Sequence, residues 1–233
     1  MRKKNAVDHK EILAQLKSWG DPEAVKGMAR YGINSSSAYG VSIPKLRNLA
    51  KQVGKDHELA QKLWASGIHE ARILASMIDV PDLVGEAQMD RWAHDFNSWD
   101  LCDQCCNNLF RKTPFARRKV AEWNSRPEEF VRRAAFTLIA CLAVHDKKAM
   151  DKDFEALLPL VRKAASDERN YVMKAVNWAL RQIGKRNARL NESAINAARE
   201  LSRMESKSAR WIAADALREL TSKAVQERLA ARN

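Results

Sequence analysis

Val172–Leu180 reads VMKAVNWAL, and two other stretches can be laid over it: Val131–Ile139, VRRAAFTLI, and Ala209–Leu217, ARWIAADAL. Each carries basic residues at its start and then small apolar ones. The copies recur about every 40 residues, the length of a two-helix unit that cannot bury its apolar side alone and does so by stacking on its neighbours. Alanine-rich interiors let successive helices approach closely. The period therefore predicts a stack of helix pairs rather than a closed globule.

Working outward, Glu70–Ile78 (EARILASMI) looks like an earlier, more divergent copy. The stretch DPEAVKGMARYG starts with Asp21 as an N-cap and Pro22 at the first helical position, and it closes on Gly32. SIPKLRNLAKQVG is built the same way: Ser42 or Ile43 leads in, Pro44 opens the helix and Gly54 ends it. Between them INSSSAYGVS is the most loop-like stretch of the chain. Helical periodicity dominates and no stretch alternates as a strand would. The expected fold class is all-α: an α-solenoid of HEAT-like repeats, roughly a dozen helices, with residues 1–233 as a single domain and a concave basic face.

The 233 residues carry 41 Lys and Arg against 29 Asp and Glu, a formal charge of +12. Such an excess favours a polyanionic partner, of which nucleic acid is the commonest. No apolar run approaches the roughly 18 residues of a transmembrane helix, so no membrane partner is expected. MRKKNAVDHK at the start has basic residues without an apolar stretch behind them and does not read as a signal peptide. Four cysteines, three of them clustered, do not make a secreted disulfide framework, which points to a reducing cytoplasm.

The cysteine cluster lies in NSWDLCDQCCNN, Asn97–Asn108. Cys102 and Cys105 form a CxxC, but a zinc site wants four ligands, and the histidines show no paired spacing. These cysteines read as small core residues on a helix; no metal and no cofactor is expected. The same stretch sets Trp99 and Asp103 four residues apart, on one face of a helix. A second indole, Trp178, lies in a basic repeat helix. An acid, two indoles and surrounding Arg and Lys suit a cationic, planar group carried on a polyanion. Two runs without an acid, FRKTPFARRKV with Arg117 and Arg118, and RQIGKRNAR with Arg181 and Lys185, read as followers of a phosphate backbone.

At these residues the sequence resembles the HEAT-repeat DNA alkylation-repair glycosylases, the AlkD type. MARYGINSSSAYGVSIPKLRNLAK is similar to the family's Met-Ala-Arg-Tyr segment with a Gly-x-x-x-Pro lead into a basic helix. SWDLCD matches its Trp-x-x-x-Asp spacing, and RRAAFTL and KAVNWALRQ match its Arg-Ala-Ala and Lys-Ala-hydrophobic-x-Trp-x-Leu-Arg segments. The resemblance spans nearly the whole chain. It implies that Trp99, Asp103 and Trp178 line the lesion site, that Arg133 holds DNA backbone near it, and that Tyr31 contacts DNA. Arg47 and Arg181 match further backbone-contact positions. Two departures stand out: Ser98 precedes Trp99 where relatives carry a second Trp, and cysteines follow Asp103.

The implied activity is hydrolysis of the N-glycosidic bond of cationic N3- or N7-alkylated purines in duplex DNA, without enclosing the base in a deep pocket. The cysteine usage and a self-capped solenoid lead us to expect a cytoplasmic monomer, nucleoid-associated when bound to DNA. Two other readings of the same chain are a DNA-binding scaffold without catalysis and a protein-binding HEAT module. Retention of Trp99, Asp103 and Trp178 together argues against the first, and the Arg and Lys of the repeats against the second.

Overall fold

Asp21 accepts hydrogen bonds from the backbone N–H groups of Glu23 and Ala24, at 2.9 and 3.2 Å, and so starts a helix at Pro22. Ser42 occupies the corresponding position before Ile43, and Gly54 stops that helix with φ at +82°, where a side chain would be strained. The first helix begins where the sequence placed it and the second one residue earlier, at Ile43 ahead of Pro44; residues 33–42 between them are loop. These details come from a computed structural model that describes residues 8–231. The basic opening residues 1–7, and with them part of the segment read as lacking a signal peptide, lie outside that range.

The described residues form fifteen α-helices and two short 3-10 turns, at Pro81–Leu83 and Phe110–Lys112, and contain no strand. The chain divides into two compact units, Met1–Pro114 and Phe115–Asn233. The first holds α1 (His9–Ser18), α2 (Pro22–Arg30), α3 (Ile43–Val53), α4 (His57–Ala65), α5 (His69–Ile78), α6 (Glu86–His94) and α7 (Trp99–Asn108). The second holds α8 (Ala116–Trp123), α9 (Glu129–His145), α10 (Asp151–Glu155), α11 (Leu158–Ala164), α12 (Asn170–Gly184), α13 (Ala188–Ser202), α14 (Lys207–Leu220) and α15 (Lys223–Ala230).

In the first unit α3, α5 and α7 pack in succession, with α4 against α5. The polar links between neighbours reveal the period. Trp64 Nε1 donates to Asp95, His69 Nε2 bonds Asp100, and the Tyr39 amide donates to Glu70, each pair 31 residues apart. In the second unit α9, α12 and α14 pack in succession, backed by α8, α11 and α13. There Arg133 bonds the Tyr171 carbonyl, Asn177 bonds Asp215 and Arg181 bonds Glu219, each across 38 residues. The 40-residue spacing read from the sequence thus belongs to the second unit, and the first is built on a shorter repeat. Both are stacked helix pairs, the α-solenoid of HEAT-like repeats expected from the sequence.

Close approach of the helices is written in small residues. Ala134, Ala135, Ala140, Ala175, Ala179, Ala213 and Ala216 have no exposed surface or almost none. At Gly184, the last residue of α12, a Cβ would lie 2.7 Å from Leu220 of α14 and 2.9 Å from Ala194 of α13. Only a residue without a side chain fits where these three helices converge.

Candidate active site and nucleic-acid contacts

In the first unit the site forms at the start of α7. Ser98 is its N-cap, and its hydroxyl donates to Asp100 Oδ1 at 2.7 Å instead of accepting from a backbone amide. His69, 5% exposed at the start of α5, bonds the other oxygen of Asp100 at 2.8 Å. Burial pushes the Asp100 carboxyl up, but the His69 and Ser98 hydrogen bonds outweigh it and hold the group below the ordinary carboxylate range. The first turn of α7 is therefore fixed by a half-buried acid lying between Trp99 and Leu101.

Trp99 and Asp103 follow on one face of α7, both half-buried. The Trp99 indole N–H donates to the carbonyl of Tyr31, at the end of α2, at 2.9 Å. The structure thus brings together two residues that the sequence assigned to substrate contact, and it leaves the Tyr31 side chain 74% exposed. The loop that follows is tied at its far end by Glu70. That carboxylate, 1% exposed, accepts from the amides of Tyr39, Gly40 and Val41 at 2.7–3.2 Å. Arg47 is exposed on α3.

Cys102, Cys105 and Cys106 are fully buried between these helices and form no disulfide. Burial, with Cys102 and Asp79 close by, pushes the Cys105 thiol well above its usual range. They are core residues, as the helical reading had them. Among the described residues, no group of three or more His, Cys, Asp and Glu side chains is placed to hold a metal ion.

In the second unit Trp178 is half-buried near the middle of α12. Arg133 is 5% exposed, and its guanidinium donates to the Tyr171 carbonyl at 2.6 Å. The runs that lack acids in sequence meet acids in space. Arg181 and Lys185 both bond Glu219, at 2.5 and 2.6 Å, and between them they hold that carboxyl below its ordinary value against the opposing effect of burial. Arg117 pairs with Asp146 at 3.0 Å, and Arg118 with Glu122 at 2.9 Å. None of these partners lies in the run that holds its cation, so the runs alone could not show the pairing.

Two features escaped the sequence reading. Asp100 and its partner His69 were passed over because they stand 31 residues apart with no shared motif; the only signal was an acid beside the singled-out indole. Lys174, exposed on α12, occupies the repeat position of Arg133. Overlaying VRRAAFTLI on VMKAVNWAL is the signal that finds it.

A carboxylate and an indole on one helical face can stabilise developing positive charge without donating a proton. Similarity to known proteins narrows what the charge belongs to. The profile of the family described as DNA alkylation repair enzyme matches residues 12–220, a span that runs through both units. No curated protein sequence matches the chain. Among solved structures, one from a family related to the HEAT-like repeat DNA glycosylases, with affinity for branched DNA structures, is 20% identical, covers 96% of each chain and superposes with a TM-score of 0.79. That likeness shows the fold. A designed armadillo repeat protein in complex with the peptide (KR)4 is 15% identical over 93% of this chain and 97% of its own, with a TM-score of 0.36. Another designed armadillo repeat protein is 16% identical over 86% and 99%, with a TM-score of 0.34.

Proposed function

The chain belongs to the DNA alkylation repair enzyme family, and from that premise we propose that it is a DNA glycosylase releasing cationic N3- and N7-alkylated purines from duplex DNA. The observation that carries the reading is Trp99 and Asp103 on consecutive turns of α7, with the indole held by the Tyr31 carbonyl and the turn held by Asp100.

An N7- or N3-alkylated purine already carries positive charge. When its N-glycosidic bond breaks, the bonding pair moves to the base, which leaves neutral, and the positive charge passes to the deoxyribose. No general acid is needed. Asp103 stabilises the oxocarbenium character of the sugar and orients the attacking water, whose oxygen bonds to C1′ and whose proton is lost to the carboxylate or to solvent. A charge pair about 4 Å apart is worth about 4 kcal/mol at an effective dielectric of about 20, or about three decades in rate. That suffices for a labile cationic adduct and not for a neutral base. Trp99 and Trp178 present faces that attract the charged base and sugar.

The exposed cations Arg47 and Lys174 contact backbone phosphates, with the Tyr31 side chain on DNA beside Trp99. Arg133, Arg181, Lys185, Arg117 and Arg118 are each engaged inside their unit, so they add positive potential and reach a phosphate only on leaving those partners. We assign the whole of residues 1–233 to this one activity, as a cytoplasmic monomer that associates with the nucleoid when bound to DNA and uses no cofactor.

The test is release of 7-methylguanine from methylated duplex DNA by the wild type and by Asp103→Asn. Release by the wild type with a hundredfold or greater loss in the variant, about 2.7 kcal/mol, supports the glycosylase. Release no faster than spontaneous depurination, with duplex binding intact, overturns it in favour of a DNA-binding scaffold. The fold likeness to a protein with affinity for branched DNA keeps that second reading in play.

A further inference from the structure

Seven tryptophans occur in the chain, and Trp211 alone has an exposed side chain, at 42%. Trp64, Trp92 and Trp123 are buried; Trp19, Trp99 and Trp178 are half-buried. Trp211 stands on the first turns of α14 in the second unit, at the repeat position that holds Arg133 on α9 and Lys174 on α12. The register of the two neighbouring helices agrees. Asn177 of α12 bonds Asp215 of α14 at 2.7 Å, an offset of 38 residues, and the same offset one turn earlier pairs the position of Trp211 with that of Met173, next to Lys174.

The surroundings are cationic. Lys207 lies one turn before Trp211, and Arg210, held by the Met204 and Glu205 carbonyls, precedes it directly. Lys174, Lys207 and Arg210 are all exposed. The acid one turn later, Asp215, is occupied by Asn177 and Arg218. An exposed indole with exposed cations on its own helix and at the matching level of the neighbouring one is the arrangement that holds single-stranded nucleic acid: charge follows the backbone, and the ring stacks on a base. A paired duplex hides its base faces inside the stack, so backbone contact alone gives the indole nothing to cover it.

We infer that Trp211 is a stacking platform for an unpaired nucleobase, so that the second unit binds a single-stranded segment flanking the duplex. The inference deepens the proposed function and rests on its DNA-binding part.

The experiment measures binding by fluorescence anisotropy to a labelled duplex with a short single-stranded overhang, and to the same duplex with an abasic overhang of equal phosphate count. Wild type, Trp211→Ala and Trp211→Phe are compared, with circular dichroism melting as the check on folding. The wild type should prefer the base-bearing overhang by about fivefold to a hundredfold, the range that base–aromatic stacking gives. Trp211→Ala should remove the preference and leave binding to the abasic probe unchanged; Trp211→Phe should keep most of it. Equal affinity of the wild type for the two probes, or a preference that survives in Trp211→Ala, overturns the inference while leaving duplex binding in place. Binding to neither probe overturns it together with the DNA reading beneath it.

Discussion

The Trp99 indole and the Tyr31 carbonyl are joined by a 2.9 Å hydrogen bond across 68 residues of chain. It fastens α7 to the end of α2, whose Tyr31 side chain stays exposed. Trp99→Phe keeps an aromatic ring and deletes the donor together with half of the fused indole. The expected cost is about 1 kcal/mol in urea unfolding, with faster amide exchange in residues 32–37. Unchanged exchange in that loop would show that the bond does not hold it.

Glu70 is a buried carboxylate accepting from three consecutive amides. Glu70→Gln places an NH2 group where some of those amides point, and should destabilise the first unit by about 2 kcal/mol. Calorimetry checks it. A change under about 0.5 kcal/mol would mean that the loop has other moorings.

Gly184→Ala forces a methyl group into space held by Leu220 and Ala194. About 1–3 kcal/mol of destabilisation is expected. Because the clash is shared, the double variant with Leu220→Ala should cost less than the sum of the two singles; strict additivity would locate the strain elsewhere.

Asp100 has a folded-state carboxyl below its ordinary value. A depressed acid contributes stability that is present above its unfolded pKa and lost as pH falls through the folded one. Asp100→Asn should therefore be clearly less stable than the wild type at neutral pH. The gap should close as the pH falls below about 4, the ordinary range for Asp. A gap that stays constant with pH would assign the loss to packing instead.

Glu219 engages two cations that the sequence reading gave to DNA, Arg181 and Lys185. Glu219→Gln should release them. Duplex affinity at low salt should rise, and the slope of log K against log salt should steepen by about 1–2. A slope that does not move would remove both residues from the phosphate-contacting set.

Much of the architecture was readable before folding, because helix starts at Asp21 and Ser42 are local chemistry and the copies at Val131, Val172 and Ala209 share an apolar pattern. The Trp99–Asp103 pair was readable for the same reason, since four residues on a helix is a fixed geometry. The shorter repeat of the first unit was not. Its links are Trp64–Asp95, His69–Asp100 and Tyr39–Glu70, three different chemistries with no common residue pattern, and only spacing unites them. The engagement of Arg181 and Lys185 was hidden likewise, because Glu219 stands a full repeat away from Arg181.

All four cysteines are buried and in no disulfide, and burial holds the Cys105 thiol further from its thiolate. Thiolates are the soft nucleophiles that electrophilic methylating reagents attack first. A chain built this way keeps those groups out of reach of the very compounds whose damage to DNA it is proposed to undo.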